Sequence, residues 1–323
     1  MGKKVIGCVG QGFVGGALTS VMSRTYDVHV YDKAGVVANG GIVPSVNKLT
    51  AQFAVGQELL NLDRRINSVV ELVNSLEYND DYAGVIFVCL PTPMRKSGEC
   101  DVSIVQGVLD QIAHAEPQAK LGQMRIAVVK STVPPGTCEM WNKRYANTAL
   151  RVVFNPEFLT EANALRDFEN QDRIIVGGPR PYTDIVKRVY EAAFVGVPVI
   201  KTSSTIAEMV KYTTNAFLSI KVAFANEMRQ LCDASDADYD KVIEYAKQDE
   251  RLGHSHWNVP GPDGARGFGG HCFPKDLNAL MYVAKQKNVA TPVMAGAWEK
   301  NLEVRPPVDR DWERMADRAV TDN

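Results

Sequence analysis

The stretch that most restricts how this chain can fold is residues 5–15, "VIGCVGQGFVG". A run rich in β-branched residues ends on Gly10, and Gly12 and Gly15 follow at the start of a segment of helical character, "QGFVGGALTSVMSR". A glycine at the first of these places permits a tight turn out of a strand. One at the second lets a bound group come close to the backbone, and one at the third lets a helix pack against the strand it leaves. The helix start that follows offers unpaired N–H groups and the positive end of a dipole, a setting suited to an anion. Such a beginning commits the chain to strands joined by crossover helices.

The rest of the first half keeps that rhythm. "YDVHVYD", "YAGVIFVCLPTP", "MRIAVVKSTVPPG", "ALRVVFNPEF" and "DRIIVGG" alternate with helical stretches such as "DVSIVQGVLDQIAHA", and the pattern stops near "FVGVPVIKTSS". Apolar strands of this kind predict a parallel sheet covered on both faces. The second strand ends in Asp32, about 20 residues past the glycines, where a carboxylate can accept from a ribose 2′-hydroxyl. Gly10, Gly12, Gly15 and Asp32 together predict an N-terminal Rossmann-type, doubly wound parallel sheet that binds a dinucleotide. Asp32 favours NAD over NADP, with Lys33 beside it pulling the other way. Ligands of such sheets sit beyond the carboxyl ends of the strands. Thr92 of "LPTP", Ser131 and Thr132 of "KSTVPPG", and Glu157 and Glu161 of "NPEFLTE" all fall there. Each alone is more often loop architecture than chemistry; three such stretches on one edge point to a lined site.

From about Ser203 the composition turns helical, with "SSTIAEMVKYTTNAFLSIKVAFANEMRQLCDAS" as one long helix. Thr205 and Glu208 fit a capping box at its start, and apolar residues nearly all round it predict a buried helix. Lys211 and Asn215, four apart, share a face of that helix. They are either a snorkelling lysine with a neighbour-capping amide, or functional polar groups on a greasy element. "ADYDKVIEYAKQD" and "KDLNALMYVAKQKN" continue the helical half. The expected domains are 1–200, an NAD-binding sheet domain; 201–302, a helical domain with a long central helix; and 303–323, a charged tail after a Pro-Pro break.

Composition mainly excludes. With 36 Lys+Arg against 38 Asp+Glu the net charge is -2, so there is no basic surplus for nucleic acid. No apolar run is long enough for a membrane span, and the start of the chain has no leader-like segment. Six cysteines without CxxC spacing predict neither a disulfide framework nor a zinc site. His254, His256 and His271 lack further ligands at metal spacing. A soluble protein in the cytoplasm, with no metal, is the expectation.

One cysteine differs from the rest. In "GFGGHCFPKD", Cys272 follows Gly267, Gly269 and Gly270 and precedes a helix, with Lys275 three residues on. Space, a helix N-terminus and a nearby cation are conditions that favour a reactive thiolate. Asp276 is either a cap for that helix or part of the chemistry. A nicotinamide site with a nucleophilic cysteine suggests a particular sequence of steps: an alcohol is oxidised to an aldehyde, the thiolate traps it, a second oxidation gives a thioester, and water releases an acid.

These residues together resemble the UDP-glucose/GDP-mannose dehydrogenase family. The matching stretches are "GQGFVG", "LPTP", "STVPPGT", "NPEFLTEANALRDFENQDRIIVGG", "EMVKYTTNAFLSIKVAFANE", "DERLG" and "GFGGHCFPKDL", in family order from residue 4 to about 302. The resemblance implies two NAD-dependent oxidations at C6 of a UDP-sugar, UDP-glucose first, serving polysaccharide synthesis. It makes Cys272 the covalent nucleophile and Lys211 the base or oxyanion stabiliser. Asn215 would hold the same oxygen, Asp276 would assist Lys211 and water, and Glu157 with Thr132 would assist thioester hydrolysis. Cofactor contacts extend over Gly10, Gly12, Phe13, Val14, Gly15, Asp32, Lys33, Thr92, Thr132, Glu161 and Lys275. Substrate contacts would come from Glu157, Phe158, Leu159, Glu161, Lys211, Asn215, Phe268, Gly269 and Phe273. Arg251 of "DERLG" matches an arginine that in the family reaches the partner subunit's site, and a homodimer through the long helix near 204–232 is implied.

Three departures from the family pattern stand out. This chain ends where most relatives begin a third, nucleotide-binding domain. The loop "HSHWNVPGPDGAR" is longer than in many relatives and is placed to supply part of that cover. His271 is more familiar in relatives that act on N-acetylated amino sugars. UDP-N-acetylmannosamine and GDP-mannose therefore stand as alternative substrates, and an inactive NAD- or sugar-nucleotide-binding module as an alternative role.

Overall fold

A computed structural model describes residues 3–33, 66–76, 84–115, 124–316 and 318–321. It divides into two compact units, Met1–Pro91 with Val102–Lys211, and Thr92–Asp101 with Tyr212–Asn323.

The first unit is built on a seven-stranded sheet: β1 (Val5–Val9), β2 (Asp27–Tyr31), β3 (Gly84–Val88), β4 (Arg125–Val129), β5 (Leu150–Phe154), β6 (Ile174–Gly177) and β7 (Val199–Thr202), in spatial order β2-β1-β3-β4-β5-β6-β7. β1, β3 and β4 are buried at every residue, as strands between two helical layers are, and all but Arg125 at the start of β4 are without charge. Alternate side chains enter opposite cores. Ile86 and Val88 join Leu72, Leu109 and Trp141 on one face, and Val85 and Phe87 join Leu18, Phe168 and Tyr190 on the other. The helices of this unit are α1 (Phe13–Met22), α2 (Val69–Asn74), α3 (Ser103–His114), α4 (Thr137–Arg144), α5 (Ala164–Glu169) and α6 (Tyr182–Ala193). The sheet is not wholly parallel, because β6 runs antiparallel to β5 and pairs with it at Phe154 and Gly177. The short α5 lies between those two strands in sequence, and an antiparallel neighbour needs no full crossover.

A 31-residue helix, α7 (Ser204–Ala234), follows β7, and the division between the units falls within it. Its start corrects the expected capping box. Ser203 Oγ, not Thr205, accepts from the Ile206 N–H at 3.3 Å. Glu208 is wholly buried and turns to the start of α4, accepting from Gly136 N–H at 2.6 Å and Cys138 N–H at 2.8 Å. Two buried N–H donors outcompete a local cap for this carboxylate. Nor is α7 buried all round. Phe217, Phe224 and Leu231, spaced by seven, are 63%, 50% and 54% exposed in the single chain, so one stripe is apolar and open.

In the second unit α8 (Tyr239–Ala246), α9 (Phe273–Gln286) and α10 (Pro292–Val304) complete the helices. One small core gathers Ala225, Tyr239, Ile243 and Trp257, and another gathers Ala216, Phe268, Leu277 and Ala297. After α10, Pro307–Asp309 and Asp311–Arg314 form short 3-10 turns, with Trp312 buried. No helix among the described residues is long and apolar enough to cross a membrane.

Candidate active site

The first unit carries a cradle at the end of β1. Gly10 has φ +89° and its N–H donates to Tyr31 O at 2.8 Å, joining the ends of β1 and β2. A Cβ there would run into the carbonyl of Cys89, and one on Gly15 would run into the carbonyl of Gly10. Both positions accept only glycine. Gly12 differs, since a Cβ built on it meets nothing within 4 Å. It precedes the first turn of α1, where Phe13 and Val14 are half-buried, so the open space lies against the helix start. Asp32 sits at the rim and its carboxylate accepts from Gln11 N–H at 2.6 Å, with Lys33 exposed next to it. A glycine-bounded space at a helix N-terminus, with a carboxylate one strand away, fits a dinucleotide.

Two further loops of this unit are tied down. Ser131 Oγ accepts from Leu90 N–H at 3.0 Å, which links "STVPPG" to the end of β3, and Thr132 is buried behind it. Burial raises the Glu208 carboxyl above its ordinary value, while the two N–H donors of α4 pull the other way. Past β5, the "NPEF" turn holds Glu157 against Lys211. The ammonium donates to Glu157 O at 2.6 Å and to its carboxylate at 3.1 Å, and the two side chains are 8% and 4% exposed. Glu157 also accepts from Leu159 N–H at 2.9 Å, so its carboxylate is held from two sides. Lys211 and Arg173 stand 5.6 Å and 5.2 Å from the Phe158 ring centre. A cleft of about 600 Å³ opens here, lined by Lys130, Glu157, Phe158, Leu159, Arg166 and Arg173. Glu161 begins a 3-10 turn, Glu161–Asn163, next along the chain.

Lys130 is an addition that sequence reasoning did not single out. Its ammonium, 3% exposed, donates to Asn155 Oδ1 at 2.7 Å, and that oxygen also accepts from Tyr190 OH at 2.5 Å. Burial pushes Lys130 down to about 8, although Cys89 and Glu157 hold it up. Its signal is a lysine set directly after the apolar run at residues 126–129 of β4, a place where an uncompensated charge is costly.

In the second unit Cys272, half-buried, is the residue at the head of α9, with Pro274 in the first turn. Asp276 does not cap that helix. Its own N–H bonds to Cys272 O at 2.9 Å, placing it inside the first turn, and its carboxylate accepts from Asn215 Nδ2 at 2.6 Å and Lys275 Nζ at 2.5 Å. Burial alone would push the Lys275 ammonium down. The Asp276 carboxylate and then the Cys272 and Cys100 sulfurs outweigh it and hold Lys275 above its ordinary value. Lys275 is thus a standing cation at neutral pH, and its field acts on the Cys272 sulfur. Cys100 is pushed up to about 11 by burial, and the thiols of Cys89 and Cys138 are also raised, the first by its hydrogen bond with Cys8 and the second by burial. Those thiols stay protonated and unreactive.

Phe273 stacks edge-on to Phe268 at 6.3 Å and lies 5.7 Å from the His256 ring. Gly269 lies in the loop ahead of Cys272, and Thr92 is buried in this same unit. Arg251 is 89% exposed and forks onto Asp249, away from the Cys272 cluster's hydrogen bonds.

Comparison with known proteins agrees with both halves. Residues 4–194 match the NAD binding domain of the UDP-glucose/GDP-mannose dehydrogenase family, and residues 205–303 match its central domain. A UDP-glucose 6-dehydrogenase of Rickettsia bellii is 34% identical over 250 residues, 76% of this chain and 54% of that protein. A GDP-mannose 6-dehydrogenase of Pseudomonas aeruginosa is 32% identical, over 67% of this chain and 50% of its own length. The chain therefore spans about half the length of the curated relatives it matches. A solved UDP-glucose dehydrogenase from Pyrobaculum islandicum superposes with a TM-score of 0.73 at 26% identity, covering 93% of this chain and 68% of that one. With the two domains matched in order, and the first match alone covering more than half of its residues, this chain belongs to the UDP-glucose/GDP-mannose dehydrogenase family.

Proposed function

We propose that this protein oxidises the C6 hydroxyl of UDP-glucose to the carboxylate in two NAD-dependent steps, with Cys272 as covalent nucleophile. The observation that carries the assignment is the cluster behind that sulfur. Asn215, Lys275 and Asp276 are all buried, and the first two both donate to the Asp276 carboxylate; Lys275 and Asp276 lie in the first turn of the helix that Cys272 heads, and Asn215 lies on α7. A cation fixed near a thiol at a helix N-terminus favours the nucleophilic form.

Gly10, Gly12, Phe13, Val14, Gly15 and Asp32 would hold the dinucleotide, with Lys33, Thr92, Thr132, Glu161 and Lys275 as further contacts. When bound, NAD accepts a hydride in each of the two oxidations. The chain's residues do the rest. Lys211, steadied by Glu157, takes the alcohol proton or holds the oxyanion that follows, with Asn215 donating to the same oxygen. Cys272 adds to the aldehyde, and loss of a second hydride leaves a thioester on sulfur. Water adds to its carbonyl with Glu157, Thr132 and Asp276 as the proton carriers, and the thiolate leaves with its electron pair. Phe158, Leu159, Phe268, Gly269 and Phe273 line the sugar-nucleotide, and Arg251 serves the neighbouring subunit. The open stripe of Phe217, Phe224 and Leu231 supports a two-fold dimer through α7. Six cysteines without the spacing of a disulfide framework favour the reducing cytoplasm.

The relative that acts on GDP-mannose keeps a second substrate in view. The test is NADH release with UDP-glucose, UDP-N-acetylmannosamine and GDP-mannose, with the acid product counted. About two NADH per UDP-glucose are expected, and Cys272→Ser should abolish turnover and the sulfur-bound adduct seen by mass spectrometry. Acid formed by the serine variant at the parent rate would end the covalent route. Binding of UDP-glucose by calorimetry without any NADH would favour a non-catalytic module.

A further inference from the structure

The glycine loop ahead of Cys272 is held by side chains that come from far along the chain. Gly267 N–H donates to Asn226 Oδ1 at 3.2 Å and Phe268 N–H to Asn301 Oδ1 at 2.7 Å, while Asn301 Nδ2 returns a bond to Phe268 O at 3.1 Å. The last tie comes from beyond α10. Gly270 N–H lies 3.1 Å and 3.0 Å from the two carboxylate oxygens of Asp311. Asp311 is in turn set by Arg305, whose guanidinium has only 3% of its side chain exposed. Arg305 donates to Asp263 at 2.6 Å, to Asp309 O at 2.8 Å, to Arg266 O at 3.2 Å and to Asp311 at 3.4 Å. A buried arginine with every nitrogen bonded is a rigid strut, because releasing a partner leaves a buried N–H donor without its acceptor. A Cβ on Gly269 would collide with Arg305 and Asp311, so the loop and the strut are closely fitted. Trp312, 2% exposed, locks the segment by packing beside Arg305, whose guanidinium carbon is 5.9 Å from its ring centre.

These two residues lie outside both stretches matched by the family, which end at residue 303. By composition they belong to a charged tail with no task. We propose that Asp311, braced by Arg305, is a positioning residue for Cys272: by clamping the amide of Gly270 it sets where the sulfur sits and how readily it attacks. The inference rests on Cys272 being the nucleophile. Asp311 touches neither the sulfur nor the reacting carbon; its effect passes through two residues of backbone. A loop carrying three glycines in four positions loses more conformational entropy on ordering than one of ordinary residues, so the ties that order it decide the fraction of molecules in attacking geometry.

The test uses the full chain and the variants Asp311→Ala, Asp311→Asn and Arg305→Ala. Two readouts are taken: kcat and KM with UDP-glucose and NAD, and the pH profile of Cys272 alkylation by iodoacetamide, followed by peptide mass spectrometry. Asp311→Ala should lower kcat by about tenfold or more with KM changed less than about threefold, and should alter the alkylation rate or its pH midpoint. Asp311→Asn keeps the shape and one acceptor oxygen, so it should recover part of both, and Arg305→Ala should follow Asp311→Ala in direction. Folding is monitored by melting temperature; if the alanine variants do not fold, the isosteric asparagine variant decides. Parent-like alkylation and kcat in a folded Asp311→Asn and Asp311→Ala would overturn the proposal, as would an activity loss that tracks the unfolded fraction alone. If the parent releases no NADH, the assigned function fails while the alkylation arm still decides the brace.

Discussion

The molecule has two glycine loops, and they are held in different ways. The loop at residues 10–15 is held by neighbours in the same motif and strand pair. Gly10 meets the Cys89 carbonyl, Gly15 meets the Gly10 carbonyl, and Gln11 reaches Asp32 at the end of the next strand. The loop at 267–270 has little of its own to hold it. It depends on Asn226, Asn301 and Asp311, which come from two helices and a 3-10 turn. One loop derives its shape from backbone packing, where only the absence of a Cβ matters. The other derives its shape from specific side-chain acceptors, where the loop sequence alone says nothing about what holds it. A backbone cradle suits a ligand gripped by N–H groups; a loop fixed by exchangeable side chains suits the tuning of a reactive group.

The sharpest way to break this contrast is to add a methyl group to the first loop. Gly10→Ala needs φ +89° and collides with a carbonyl, so a loss of about 4 kcal/mol or failure to fold is expected by urea denaturation. A Gly10→Ala protein with parent stability would mean the loop is looser than described. In the second loop the telling change is to an acceptor outside it. Asn301→Ala strands both the N–H and the C=O of Phe268 in a buried place and should cost about 3 kcal/mol. If Asn301→Ala cost nothing, the loop would be self-supporting like the first.

Glu208 asks whether the first unit also relies on remote ties. Glu208→Gln weakens the cap on α4 and should cost about 1 kcal/mol, with a definite pH sign. The folded carboxyl holds its proton above the ordinary 4.5. Its protonation therefore contributes stability in full below about 4.5, and that contribution is lost as pH rises through the folded value. The stability difference between parent and Glu208→Gln should be largest in acid and shrink as pH rises; a flat difference would argue against the burial of this group. The smallest stability effect is reserved for Gly12→Ala, within about 0.5 kcal/mol, because its Cβ meets open space. Yet that methyl occupies the place proposed for the dinucleotide, so NAD affinity should fall about tenfold or more by fluorescence titration. Unchanged affinity would show that the cradle is not where the dinucleotide rests.

Local patterns made much of this legible. Strand runs, the 10–15 glycines with Asp32, and the polar pair Lys211 and Asn215 on a greasy helix each carry their signal within a few residues. The Thr205–Glu208 box looked equally local, yet Glu208 went to Gly136 and Cys138, because two buried donors from another element outweigh one exposed cap. The stripe of Phe217, Phe224 and Leu231 shows the same limit. A helix apolar on every side was expected to be covered on every side, and the single chain covers only part of it.

Sequence alone was enough for the turn at residues 10–15 out of β1, for the sheet strands followed by helices, and for the place of Cys272 at a helix head, since each follows from spacing along a few turns or strands. Only the tertiary structure decided that β6 runs antiparallel to β5, that Lys130 is buried on Asn155 beside Tyr190, that Asp276 bonds to Asn215 and Lys275 rather than capping its helix, and that Arg305 and Asp311 reach back to Gly270. These are choices of partner among groups tens of residues apart, and a buried polar atom selects its partner by position in space, which local spacing does not encode.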